Sequence, residues 1–130
     1  MKLQLMFETN KDCSCYVPAL KLGVVGFDID DARETIKDLI ELELANGAAI
    51  ETYSFDKIQV DGKSYTCLIE QSSETGRYSC YLPGLRLSAS GSTQGESKIA
   101  AADLLLKHKE EPFADEIHLE MLTVAHKVAI

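Results

Sequence analysis

A nine-residue stretch occurs twice in this chain, and nothing else in it restricts the fold as much. Ser14-Cys-Tyr-Val-Pro-Ala-Leu-Lys-Leu22 and Ser79-Cys-Tyr-Leu-Pro-Gly-Leu-Arg-Leu87 align without a gap at a constant offset of 65. Carried onward, the same register pairs Gly26 with Gly91, Asp31 with Glu96, Arg33 with Lys98, Asp38 with Asp103 and Leu39 with Leu104. Between Cys13 and Ile40 there are 9 identities in 28 positions, where composition alone would give about two. A period of this size decides how many folding units there are, so it is read first. The chain reads as a tandem duplication, with one copy over residues 1–62 and the other over 63–130.

Each copy predicts the same order of elements. Leu3, Leu5 and Phe7 alternate with polar neighbours at the period of a half-buried strand, and Cys13, Cys15 and Val17 do so again after the turn residues Asn10-Lys-Asp12. Pro18 cannot donate to a ladder and ends that strand. Gly23 and Gly26 bracket a short third strand. Asp28 then caps a helix, with Ile29, Ala32, Ile36, Leu39, Ile40 and Leu44 as its buried stripe and Asn46-Gly47 as its stop. A β-prone run through Tyr53 and Phe55 to Val60 supplies a fourth strand of the first copy.

Asp61-Gly62 is a two-residue hairpin signal, after which the pattern restarts. Tyr65, Cys67 and Ile69 alternate, then Tyr78, Cys80 and Leu82 up to Pro83. Thr93-Gln-Gly-Glu96 is a capping box in the register of Asp28 to Asp31. A helix through Ala101, Leu104 and Leu105 follows, and Ile117, Leu119 and Met121 alternate as a last strand. The expected class is α+β: two tandem β-β-β-α-β units, each an antiparallel sheet carrying one helix. A unit of this size rarely builds a sufficient core alone. The two are therefore expected to pack as a pseudo-two-fold dimer within one chain.

Charge narrows the partners. The formal net charge is −8, and the excess is concentrated where Asp28, Asp30, Asp31, Glu34, Asp38, Glu41 and Glu43 face only Arg33 and Lys37. No basic stripe suited to phosphates is present, which argues against nucleic-acid binding. Asp31, Glu34, Asp38 and Glu41 fall at steps of three or four and share one helix face, either a solvated surface or a dock for a basic protein. There is no run of 18 apolar residues and no secretory signal, so the expected location is the cytoplasm, with no membrane contact. Self-association into a homo-oligomer is compatible with the sequence.

Residues able to do chemistry are few. Four cysteines, Cys13, Cys15, Cys67 and Cys80, are expected to be reduced. They sit on inward strand positions rather than in the knuckle spacing of structural zinc sites, and read as small core hydrophobes. His108, His118 and His126 have no partner spacing. Glu8, Glu70 and either Asp38 or Asp103 would have to converge to make a carboxylate site, without a motif that brings them together. Tyr16 and Tyr81 match across the repeat, on the strand face opposite the cysteines. No catalytic residue, metal or cofactor is expected.

Gly76-Arg-Tyr-Ser-Cys-Tyr-Leu-Pro-Gly-Leu85, followed by Gly91 and Thr93-Gln-Gly-Glu-Ser97 at a helix start, resembles the N-terminal module of HicB-type antitoxins. The second copy matches that pattern better than the first, which has Asp28-Ile-Asp-Asp31 in place of the Thr-x-Gly-Glu element. The resemblance implies a truncated RNase H or double-stranded-RNA-binding-like fold, and a non-catalytic protein that masks a small basic ribonuclease toxin. Asp31, Glu34, Asp38 and Glu41, with Tyr16 and Tyr81, are then the candidate partner-binding residues. Such antitoxins usually add a C-terminal DNA-binding segment, and none is recognisable here, so operator binding is not expected. The alternatives are an RNA-associated module using the tyrosine face, and a small enzyme with an unrecognised carboxylate site.

Overall fold

The computed structural model describes residues 1–107 and 116–124. Its elements run β1 (Lys2–Thr9), β2 (Cys13–Val17), β3 (Leu22–Gly26), α1 (Ile29–Ala45), β4 (Tyr53–Val60), β5 (Lys63–Gln71), β6 (Tyr78–Leu82), β7 (Leu87–Gly91), α2 (Gln94–Lys107) and β8 (Glu116–Thr123). The class is α+β, with two four-stranded antiparallel sheets and two helices. From β2 to the start of α1, every boundary recurs in β6, β7 and α2 at an offset of 65.

The layout of the units corrects the expected one. The sheets are ordered β3-β2-β1-β8 and β4-β5-β6-β7. β4, expected to complete the first copy, pairs with β5 in the second sheet, while β8 returns to lie beside β1 in the first. The fourth strand is thus exchanged relative to the expected layout. The local reason for β4 is Asp61-Gly62, at φ 51° and 76°. Two successive positive φ angles make the tight turn whose twist suits a hairpin, so β4 folds straight back on β5. One compact unit therefore takes Met1–Glu51 and returns for β8, and the other begins at Thr52.

In the first unit the core lies between one sheet face and α1. Leu3, Leu5, Phe7, Cys13, Cys15 and Val17 are buried against Ala32, Ile36, Ile40 and Leu44. Ile29 and Leu39, expected in the same stripe, sit at its margins and are half-buried. In the second unit Ile58, Val60, Cys67, Ile69, Cys80, Leu82 and Ala101 form the core, with Leu105 packed on its edge.

Both helices start by the same device. At α1, the Asp31 N–H donates to Asp28 Oδ1 at 2.8 Å and Asp31 Oδ2 accepts from the Phe27 N–H at 2.9 Å. At α2, the Glu96 N–H donates to Thr93 Oγ1 at 3.1 Å and Glu96 Oε2 accepts from the Ser92 N–H at 2.9 Å. In each case the carboxylate reaches one residue further back than in the ordinary capping box. The glycine before each cap is packed on helix backbone. A Cβ at Gly26 would lie 2.6 Å from the Ala32 nitrogen, and one at Gly91 would lie 2.7 Å from the Ser97 nitrogen. Any side chain at either position pushes the helix off its sheet.

Candidate functional site

The expected acidic stripe is solvent-facing. α1 carries Asp30, Asp31, Glu34, Asp38, Glu41 and Glu43 against Arg33 and Lys37, a net charge of −4. α2 has Glu96 and Asp103 against Lys98 and Lys107, which cancel. Asp31, Glu34, Asp38 and Glu41 are all exposed. Their roles differ. Asp31 is committed to the cap, and Glu34 lies 3.8 Å from the Lys37 ammonium. Asp38 and Glu41 make no ion pair among the described residues. These two are therefore the members of the stripe whose charge is least compensated.

Arg33, on the flank of α1, does something periodicity alone could not show. Its Nε donates to Glu120 Oε2 at 2.8 Å and its second terminal nitrogen to Glu120 Oε1 at 2.7 Å. This two-pronged geometry is the strongest form of an arginine–carboxylate pair. The guanidinium also lies 5.5 Å from the centre of the Phe7 ring, and the Phe7 ring is 5.8 Å from that of His118. His118 Nε2 is 3.0 Å from Glu120 Oε1. The Arg33 hydrogen bonds hold the Glu120 carboxyl below the usual carboxylate range, against a smaller opposing effect of burial.

The second unit has a counterpart. Met6 lies between Leu119 and Tyr16 in the first sheet, as Leu68 lies between Phe55 and Tyr81 in the second. In this register Glu120 corresponds to Asp56, and Asp56 Oδ2 takes a 2.6 Å hydrogen bond from the Lys98 Nζ. Lys98 draws the Asp56 carboxyl downward, and Asp56 raises the ammonium in return. In both units, then, a helix cation reaches the carboxylate of the exchanged strand. The aromatic floor belongs to the first unit alone: Phe7 and His118 are opposite each other there, Ile69 and Ser54 in the second. The sequence did hold one signal, since Arg33 and Lys98 match across the repeat.

Tyr16 and Tyr81 occupy matching central-strand positions and are half-buried rather than presented as an open stacking platform. All four cysteines are buried with free thiols. Burial is the main cause that pushes the Cys15 thiol up to about 12. The hydrogen bond shared with Cys67, together with burial, raises Cys80. Cys15 and Cys80, so placed, are poor nucleophiles, and all four buried cysteines pack as small apolar side chains. Asp103 pairs with Lys107 at 3.0 Å on the outer face of α2. Among the described residues no group of three His, Cys, Asp or Glu side chains is placed to hold a metal ion. His108 and His126 lie outside the described residues. None of the described helices is long and apolar enough to cross a membrane.

Comparisons with protein-family models, with curated proteins and with solved structures give no match.

Proposed function

We propose that this chain is an internally duplicated, HicB-like antitoxin-type binding protein, without catalytic activity, that masks a small basic ribonuclease toxin or a partner of similar charge. The observation that carries this reading is the acidic field on α1. Two units share a sheet layout, a helix-start device and a helix-to-strand ion pair, yet one helix has net charge −4 and the other none. Exposed carboxylates with no cation of their own steer a basic partner and raise its association rate. The duplication itself is supported by the 65-residue offset, which recurs in strand ends and helix start, and in the positive φ of Lys21 and Arg86, both 53°.

The test is co-purification and inhibition with a short, basic, ribonuclease-like protein encoded beside this one. Asp38→Lys combined with Glu41→Lys should slow association strongly, because neither residue supports the cap. Asp103→Lys on α2 should change it little. Association should weaken with added salt as the screening length falls from about 10 Å at 0.1 M to about 3 Å at 1 M. Equal effects on the two helices, or a salt-independent rate, would refute the reading.

A further inference from the structure

Among the described residues β8 is the last strand of the first sheet, and large apolar side chains share one of its two faces. Ile117, Leu119 and Met121 are 43, 36 and 54% exposed. All eight of its residues are in register with β1 on the other side. Long edge strands normally carry a lysine, a proline or a bulge that discourages further pairing. The exchanged strand of the second unit obeys this rule, for Lys57 and Gln59 are exposed along β4. In the shared register Lys57 corresponds to Met121. β8 has no lysine and no proline over its length; its charged residues are Glu116 and Glu120, and Arg33 of the same unit already holds Glu120.

We infer that β8 is the seam between two copies of this chain, paired antiparallel about Leu119. The side-chain order is what selects a second copy as the occupant and fixes the register. With the two-fold axis at Leu119, Ile117 faces Met121 of the other copy and His118 faces Glu120. The apolar row is then continuous across the seam, and on the opposite face an imidazole meets a carboxylate. An axis at His118 would set Glu116 against Glu120, and one at Glu120 would set that carboxylate against itself. Like charges directly opposite destabilise a strand pair. An axis between two residues would oppose the apolar row to the polar one. The Leu119 register avoids every one of these conflicts and joins two four-stranded sheets into one of eight.

Sedimentation equilibrium on the full chain should give twice the 14.3 kDa chain mass. Met121→Lys, which copies the residue at the matching place in β4, should weaken self-association by about tenfold or more. Its circular dichroism and melting should stay as in the parent, which separates loss of the seam from loss of the fold. The register has its own readout, because the native thiols are all buried. Under mild oxidation Leu119→Cys should cross-link two chains to each other, while Ile117→Cys alone should not. A monomeric parent, a Met121→Lys variant still dimeric, or equal cross-linking at positions 117 and 119 would each overturn the inference.

Discussion

The two units differ most where they meet solvent and least where helix meets sheet. Gly26 and Gly91 sit under the first turn of their helices at nearly the same distance, and Asp31 and Glu96 close the same loop. Arg33 and Lys98 reach the same position on the exchanged strand. Around this shared frame the exposed residues differ. Phe27, 91% exposed, stands where the second unit has Ser92; Glu34 stands where it has Ile99; Met121 stands where it has Lys57. Backbone-to-backbone packing leaves few acceptable substitutions, whereas a solvated position tolerates nearly any. The scaffold is held in common, and the two units differ on their surfaces.

The comparison breaks most completely if the exchanged strand is removed. A chain ended after residue 114 keeps every strand of the second sheet but strips β1 of its neighbour. Amide exchange should show the first unit unprotected and the second still slow, with the unfolding enthalpy roughly halved in proportion to the residues left folded. Retained protection in β1 would show that the exchange is dispensable.

Next in size are the two glycines. Gly26→Ala and Gly91→Ala each force a methyl into helix backbone, and each should lose about 2–3 kcal/mol by denaturant titration. A cost at one and not the other would mean that the two helix seats are not equivalent.

Smaller, and aimed at a difference rather than a likeness, is removal of the helix cations. Arg33→Ala leaves a half-buried Glu120 without its fork and should lose about 1–2 kcal/mol. Lys98→Ala should lose less, since its partner Asp56 is well exposed. The pH dependence follows from Glu120, whose carboxyl is lowered in the folded state by Arg33. Its contribution is complete above the unfolded value of about 4.3. It disappears as pH falls through the lower folded value. Melting temperature measured from pH 6 to pH 2 should therefore drop more steeply in the parent than in Glu120→Gln. Parallel curves would refute the assignment.

Much of this fold is legible in the sequence, for identifiable reasons. The 3.6-residue period of Ala32, Ile36, Ile40 and Leu44 marks the buried helix face, and Asp28 marks its start. The alternation of Cys13, Cys15 and Val17 marks the inward face of β2. What stays hidden is which strand a strand pairs with. Period-2 patterning sets the face a residue points to, but β4 and β8 would alternate the same way beside either sheet. The hairpin signal at Asp61-Gly62 is visible and suggests a boundary between copies, although a tight turn binds the strands on both sides of it together. The Arg33–Glu120 pair was likewise out of reach, because its partners are 87 residues apart and meet only through the exchange. On α1, the exposure of the acidic stripe is readable, and so is the place of Asp31 at the cap, from its register with Glu96.

The exchanged strands also set a timetable for synthesis. The second unit is continuous in the chain, and its β4–β5 hairpin can close while the ribosome is still at work. The first unit must wait: 107 residues from Thr9 to Glu116 separate β1 from its final neighbour. At elongation rates of roughly 5–20 residues per second, β1 waits about 5–20 s with one edge open. During that interval the strand it needs could come from an adjacent nascent chain on the same message. Slow translation or crowded polysomes should therefore favour interlocked chains over single ones, and β1 would be the last strand to gain its second neighbour.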